Sequence, residues 1–179
     1  QAKKVVSSLY FGGGTPALAI DRLGEVIDSL TSHFEISQGI GIELHPSNVT
    51  EEMLQKLLDM GVTKISIGIQ SFQDKFLGIL GRKENRFETM FDALQKVSFE
   101  TVAMDFIFAL PNQTFQDLKK DIEVAFSNGA NHIAIYPFID FGFLESGIQE
   151  FSKKEKRALL KQITDYCEER GYPRDSIWT

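Results

Sequence analysis

Three polar side chains interrupt apolar, strand-like runs at matching positions and have the clearest potential for chemistry. Glu43, Gln70 and Asp105 each lie near the carboxyl end of a different run. Because side chains alternate between the two faces of a strand, each shares its face with mostly small residues, opposite a bulky apolar face. Small residues leave room for a polar ligand, and buried carboxylates need hydrogen-bonding partners. The pattern favours a ligand-binding face, with caps or solvated strand ends as the alternative.

A run of three glycines, Gly12, Gly13 and Gly14, follows the first strand-like run and precedes Thr15. Glycines let the backbone approach a ligand closely and offer N–H groups as donors. The run is not a phosphate-binding loop, because no G-K-[ST] follows it and no G-x-G-x-x-G opens a helix. Arg82, farther along the chain, is either a surface arginine or a guanidinium that pairs with a carboxylate.

Few other residues are candidates for metal or nucleophilic chemistry. His33, His45 and His132 are far apart and lack metal-ligand spacing, so we expect structural roles for them. Cys167, the single cysteine, lies in a helical pattern and is expected to be packed rather than reactive. One cysteine excludes a disulfide framework and a cysteine-rich cluster site within this chain, and it fits a reducing compartment.

The composition is typical of a folded globular protein, with 42% hydrophobic residues, 25% charged residues and a net charge of −6. No apolar run reaches the length of about 18 residues that a membrane span needs. The acidic balance argues against nucleic acid as the main partner, because phosphate binding depends on an excess of lysine and arginine. We expect a cytoplasmic location.

Strand-like and helix-like segments alternate along the chain. Strand–helix–strand repeats indicate parallel strands with crossover helices, so the sequence predicts an open doubly wound sheet or a whole or partial (βα) barrel. We expect one core over residues 1–179, in which 140–179 form a loop and a C-terminal helical extension. The predicted strands cover 5–11, 40–45, 64–71, 102–109 and 132–138. The predicted helices cover 19–33, 50–60, 74–80, 86–97, 115–127 and 153–170.

Five motifs, taken in their order and spacing, resemble the radical S-adenosylmethionine (SAM) enzymes related to oxygen-independent coproporphyrinogen III oxidase. The resemblance runs from about residue 8 to residue 138, and the GGGTP and SIGIQSF strings are its most specific parts. The motifs are YFGGGTP at 10–16, ELHP at 43–46, SIGIQSF at 66–72, LGR at 80–82, and Asp105 followed by LPNQT at 110–114.

This resemblance implies a fold, cofactors and partners. The fold would be α/β, a partial (βα) TIM-type barrel with parallel strands and outer helices. The cofactors would be SAM and a [4Fe-4S] cluster held by a C-x3-C-x2-C loop, which together generate a 5′-deoxyadenosyl radical. The partners would be a tetrapyrrole substrate or heme and an electron donor such as flavodoxin or ferredoxin.

The resemblance also implies a role for each matching site residue. Gly13, Gly14 and Thr15 would receive the methionyl amine of SAM, and Arg82 would pair with its carboxylate. The remaining residues would contact the nucleoside part of SAM. Glu43 and Asp105 would bind ribose hydroxyls, or Glu43 the sulfonium side, while Gln70 would line the same pocket and Ile107 would pack near the adenine.

The sequence departs from the family pattern in three respects. The cysteine loop is missing, and we expect it upstream of Gln1, so that this chain is a fragment that is inactive alone. Ala109 stands where the family usually has glycine, and Lys83 and Glu84 follow Arg82 where many relatives carry a histidine. The last departure weakens assignment to the oxidase itself. A heme-binding chaperone and a radical SAM methyltransferase of the same family are the alternatives.

Overall fold

The computed structural model describes residues 3–82, 87–140 and 150–175. Strands and helices alternate in it as the sequence predicts. The strands are β1 Lys4–Val6, β2 Leu9–Phe11, β3 Phe34–Ile36, β4 Ile40–Leu44, β5 Val62–Gln70, β6 Thr101–Phe108 and β7 His132–Pro137. The helices are α1 Ile20–His33, α2 Glu51–Asp59, α3 Asp74–Ile79, α4 Glu88–Lys96, α5 Phe115–Ser127 and α6 Lys153–Glu168, with short 3₁₀ turns at Pro16–Ala19 and Pro46–Asn48.

Five of the strands form one open sheet in the order β2-β4-β5-β6-β7. β2, β4 and β5 pair in parallel, with Tyr10 opposite Gly41 and Glu43 opposite Ser66. Within the described ranges, β2 pairs only with β4, so it forms one edge of this sheet. Parallel neighbours joined by helices are the expected architecture, and the open edge fits an incomplete barrel.

The prediction of a single strand over residues 5–11 is wrong. The chain forms two short strands there, and β1 pairs in a separate two-stranded sheet with β3, a strand that the sequence analysis missed. Two residues, 7 and 8, separate β1 from β2, whereas three, 37–39, separate β3 from β4. The extra residue shifts the pairing register by one residue. The positive φ of 86° at Gly39 accommodates this extra residue. The ladder is therefore interrupted as at a bulge.

The predicted alternation of bulky and small faces is confirmed. On β4, β5 and β6 the bulky apolar side chains are buried, whereas Glu43, Ser66 and Asp105 on the opposite face are only half-buried. The buried residues of the bulky face are Ile40, Ile42, Leu44, Ile65, Ile67, Ile69, Met104, Phe106 and Phe108. The apolar face supplies the stabilisation from burial, so the opposite face is free to bear polar groups.

The chain divides into two compact units. The first comprises Gln1–Ile69, Asn85–Asp105 and Ala125–Ala134, and the second comprises Gln70–Glu84, Phe106–Val124 and Ile135–Thr179. The predicted extension over 140–179 stays a prediction. Its expected loop lies largely outside the described residues, as does the expected start of the fourth helix at residue 86. Every helix in the described part of the chain is too short or too polar to cross a membrane.

Helix α2, in the first unit, begins at a side-chain cap whose contribution to stability can be measured. The Thr50 hydroxyl accepts a hydrogen bond from the Met53 N–H at 3.2 Å, and the helix buries Leu54 and Leu57. We expect Thr50→Ala to lower the free energy of unfolding by about 1 kcal/mol, the usual effect of losing an N-cap. Urea denaturation measures the loss, and Thr50→Ser should restore nearly all of it. Equal stability of the alanine and serine variants would contradict the assigned cap.

Candidate functional site

The carboxylate of Glu43 lies beside the glycine-rich turn in the first unit. Its Oε2 accepts a hydrogen bond from the Gly13 N–H at 2.9 Å, and its Oε1 accepts one from the Tyr10 hydroxyl at 3.3 Å. Gly12 makes this approach possible, because a Cβ there would lie 2.8 Å from Oε1 of Glu43. Glu43 can therefore place its carboxylate there only because residue 12 has no side chain.

The two following glycines keep the turn open. Gly13 and Gly14 have φ angles of 81° and 60°, a left-handed conformation that other residues rarely adopt, and nothing lies within 4 Å of an added Cβ at either position. Half-buried Thr15 follows, and its carbonyl accepts the Leu18 N–H at 3.0 Å. The predicted segment therefore presents exposed backbone next to Glu43, with one of its N–H groups already donated to the carboxylate.

Asp105 occupies the same face of the sheet two strands away from Glu43. The Ser66 hydroxyl, on β5, donates to Oδ1 of Asp105 at 2.8 Å. Burial raises the pKa of Asp105, and the charge of Glu43 raises it further, whereas the Ser66 hydrogen bond and His132 act in the opposite direction. The charged form of Asp105 is therefore short of stabilising partners. A ligand with hydroxyl donors or positive charge would supply them.

Tyr10 belongs to this group of side chains, although the sequence analysis gave it no role. Its ring covers Gly41, where an added Cβ would lie 2.8 Å from Cδ2 of the ring. Tyr10 is 61% exposed as a whole, but partial burial of its hydroxyl, together with Glu43 and Asp105, raises the pKa of that hydroxyl to about 12. Tyr10 is thus a neutral hydrogen-bond donor beside two carboxylates. Its position opposite Gly41 depends on the strand register, which the sequence did not fix.

The raised pKa of Tyr10 predicts a measurable response to alkaline pH. An unfolded tyrosine ionises near pH 10, whereas Tyr10 in the folded state holds its proton until about 12. The stabilisation is therefore complete below pH 10 and is lost as the pH rises towards 12. We expect Tyr10→Phe to flatten the fall in the free energy of unfolding between pH 10 and 12. Identical slopes for variant and wild type in urea denaturation would contradict the environment described for Tyr10.

The other three predicted site residues lie in the second unit. Gln70 ends β5 with a φ of 71°, a strained angle for a residue with a side chain. Ile107 is half-buried and packs on a cluster of Phe76, Leu110 and Phe138. Arg82 donates its backbone N–H to the Leu77 carbonyl at 2.9 Å, and burial lowers the pKa of its guanidinium. The first unit therefore brings Gly13, Glu43 and Asp105 together, and the second contains Gln70, Arg82 and Ile107.

Ala109 explains one departure from the family pattern. Its φ is 63°, in the left-handed region where glycine is favoured, and the residue is fully buried. The positive φ at this turn explains why the family usually has glycine here. This chain adopts the same conformation with alanine, which has the smallest side chain after glycine. Lys83 and Glu84, which stand where many relatives carry a histidine, lie outside the described residues.

His33, His45 and the cysteine have structural surroundings. His45 Nδ1 accepts the Ser47 N–H at 3.2 Å and so caps a 3₁₀ turn, and His33 Nδ1 lies 2.9 Å from the Ser29 carbonyl. Burial raises the pKa of the Cys167 thiol on α6, which disfavours a thiolate ligand. Among the described residues, no group of three or more histidine, cysteine or acidic side chains is arranged to hold a metal ion.

Comparison with known proteins identifies the class of protein to which this fold and site belong. Residues 1–125 match the radical SAM superfamily, and the chain belongs to that superfamily. Its curated relatives include the heme chaperone HemW of Bacillus subtilis, which is 31% identical over 170 residues. That alignment covers 88% of this chain and 45% of HemW, so the chain spans less than half the length of this relative.

Solved structures confirm the predicted fold class, an α/β partial (βα) barrel. Coproporphyrinogen III oxidase (HemN) from Escherichia coli, a radical SAM enzyme, matches with a TM-score of 0.78 at 20% identity over 93% of this chain and 41% of that one. Streptococcus suis SuiB bound to S-adenosylmethionine matches with a TM-score of 0.63 at 14% identity over 91% of this chain and 37% of SuiB. The predicted relationship is confirmed at the level of the sequence, because the curated relatives of this radical SAM chain include HemW and, at 22% identity over 180 residues, an oxygen-independent coproporphyrinogen III oxidase from Helicobacter pylori that is covered to 39%.

Proposed function

We propose that this chain supplies the SAM-binding core of a radical SAM protein that acts in tetrapyrrole metabolism. One observation supports the proposal above all others. Two carboxylates, Glu43 and Asp105, share a face of the sheet, beside an open glycine turn and a neutral tyrosine hydroxyl. Family membership supplies the cofactor, and this arrangement supplies chemistry that fits it.

The carboxylate acceptors of the first unit fit SAM, whose nucleoside has two ribose hydroxyls and whose sulfonium is positive. A carboxylate accepts hydroxyl protons and attracts a cation, and both effects strengthen where water is partly excluded. Burial and the charge of Glu43 raise the pKa of Asp105, so a ribose hydroxyl that donates to it would stabilise the ionised form. Glu43, with one oxygen held by Gly13, would take the other ribose hydroxyl or face the sulfonium.

The remaining predicted contacts are part of the same proposal. Gly13, Gly14 and Thr15 would receive the methionyl amine. Gln70, Arg82 and Ile107 lie in the second unit, and their roles towards SAM rest on the family motifs alone. Arg82 is suited to a carboxylate because its fork of N–H groups binds both oxygens at once.

The iron–sulfur cluster does not fit the residues of this chain. The sequence has one cysteine, and Cys167 has a raised pKa on α6, whereas the family cluster needs three thiolates. We therefore assign the cluster ligands to a part of the intact protein outside this sequence. In the intact protein the cluster would supply the reductive chemistry, and the residues described here would bind and orient the SAM molecule.

Heme handling is the second candidate function, and the similarity to HemW favours it. The curated relative named a heme chaperone is 31% identical, whereas the curated oxygen-independent coproporphyrinogen III oxidase is 22% identical. A tetrapyrrole, either heme or a porphyrinogen, is the ligand class that both names share. The oxidase reaction, the methyltransferase alternative, the flavodoxin or ferredoxin donor and the cytoplasmic location stay predictions.

Titration of the intact protein with SAM under anaerobic conditions tests the proposal. Isothermal titration calorimetry should detect one or more SAM sites, with S-adenosylhomocysteine, which lacks the sulfonium charge, as the comparison ligand. Absence of SAM binding would overturn the proposal. A parallel hemin titration, followed by the Soret absorbance, separates the two functions. Stoichiometric heme binding without cleavage of SAM favours the chaperone, and SAM cleavage with coproporphyrinogen favours the oxidase.

A further inference from the structure

The second unit contains a buried carboxylate that the proposed function does not use. Asp121 on α5 is 1% exposed, and three donors surround it. The Ser71 hydroxyl donates to Oδ2 at 2.7 Å, and the Phe72 N–H and the Gln73 side-chain amide donate to Oδ1 at 3.2 and 3.0 Å. All three donors come from consecutive residues some 50 positions earlier in the chain. A single carboxylate thus fastens one short segment to the helix.

That segment follows the strained end of β5 directly. Gln70 has a φ of 71°, and a side chain in the left-handed region costs free energy that the surrounding structure must offset. Ser71, which is fully buried, also accepts the Gln73 N–H at 3.1 Å and so closes a local turn. The Phe72 ring packs edge-on against Phe106, with the ring centroids 5.6 Å apart. Together these contacts fix the backbone on the carboxyl side of Gln70.

A carboxylate at position 121 is better suited to holding residues 71–73 than a neutral side chain would be. Asp121 offers acceptors on both oxygens, so it satisfies the hydroxyl on one side and two N–H groups on the other. Asparagine would replace one acceptor with an NH₂ group that faces the Ser71 hydroxyl. A buried carboxylate is costly to retain, and burial raises the pKa of Asp121 while its three hydrogen bonds lower it. Asp117, the nearby carboxylate, is paired with Lys75 at 2.6 Å.

We propose that Asp121 is a positioning residue that holds Gln70 in its left-handed conformation and thereby sets the direction of the Gln70 side chain for SAM binding. The inference rests on the proposed function, in which Gln70 contacts SAM. Asp121 is buried and would act without touching SAM. Its effect on binding is transmitted through Ser71, Phe72 and Gln73, and so it requires the side chain of Gln70 to be present.

A double-mutant cycle on SAM affinity tests this transmission. We expect Gln70→Ala to weaken SAM binding by about tenfold, the loss of a buried hydrogen bond, and Asp121→Asn to weaken it by about three- to tenfold. If Asp121 acts through Gln70, the double variant binds no more weakly than Gln70→Ala alone. Additive losses would overturn the inference. Glu123→Gln, a carboxylate change on the same helix outside this network, should leave the affinity unchanged.

A second readout does not depend on SAM. In hydrogen–deuterium exchange, the Phe72 amide should exchange at least about tenfold faster in Asp121→Asn than in the wild type, because its acceptor is weakened. Ser71→Ala removes one donor and should give a smaller increase in the same amide. If the exchange rate does not change, the inference fails regardless of SAM. If SAM affinity falls in Glu43 and Asp105 variants but not in Gln70→Ala, the inference fails while the proposed function stands.

Discussion

Replacing Asp105 with asparagine is expected to weaken SAM binding by about ten- to a hundredfold and to leave the fold at least as stable as the wild type. A hydrogen bond from a ligand hydroxyl to a charged acceptor contributes about 1.5–3 kcal/mol, and the neutral amide loses most of this. The amide oxygen still accepts the Ser66 hydroxyl, which lies 2.8 Å from the present carboxylate. The fold no longer bears the cost of a partly buried charge.

The pH dependence of stability provides a second test of the Asp105→Asn prediction. The folded-state pKa of Asp105 is raised, so its ionisation destabilises the fold, and the destabilisation disappears as the pH falls through that pKa. The stability advantage of Asp105→Asn should therefore be largest near pH 7 and should shrink as the pH falls through the raised pKa towards the ordinary value of about 3.9. Urea denaturation at several pH values measures the trend.

The matched control for Asp105 is an exposed carboxylate in the same unit. Asp28→Asn on α1 changes the net charge equally but lies on the solvent side of its helix. It should alter neither SAM affinity nor the pH trend. If Asp105→Asn and Asp28→Asn weaken SAM binding by the same amount, net charge rather than a direct contact explains the effect. Wild-type affinity in Asp105→Asn would exclude Asp105 from the site.

The candidate site was predictable from the sequence where strand alternation alone decides the direction of a side chain. Glu43 and Asp105 each sit between bulky residues that must be buried, so strand alternation places both on the opposite face. Tyr10 obeys the same rule, but the local pattern predicts one strand where the chain forms two. The interruption arises from a one-residue difference between two loops, and pairing with distant strands decides it. Local pattern does not contain this information.

Asp121 was missed for a different reason, although a signal for it was present. Leu118, Ile122 and Ala125 form the buried face of α5, and Asp121 falls on that face by helical spacing. A charged residue at an apolar position indicates a buried partner, but the spacing does not identify it. The partner segment lies some 50 residues away and is defined only when α5 packs against the end of β5.

The second large effect is expected from Gly12→Ala, the smallest substitution in the glycine-rich turn. An added Cβ would lie 2.8 Å from Oε1 and 2.9 Å from Cδ of Glu43, closer than real atoms approach. The carboxylate is the flexible end of its side chain, so it would move and lose its hydrogen bond from Gly13. We expect SAM binding to weaken by about tenfold or more, since a charge-assisted contact is displaced. The fold should be nearly unaffected.

Two variants separate this displacement from a general effect of alanine. Gly78→Ala on α3 also adds a methyl group, but nothing lies within 4 Å of it, so the affinity for SAM should stay at the wild-type value and the stability should not fall, since alanine is favoured over glycine in a helix. In the Gly12→Ala background, Glu43→Asp shortens the side chain by one methylene, which removes the clash and should recover part of the lost affinity. Recovery would show that the glycine matters through Glu43. An unchanged affinity in Gly12→Ala would mean that Glu43 binds no part of SAM, and the carboxylate would then serve only to hold the turn.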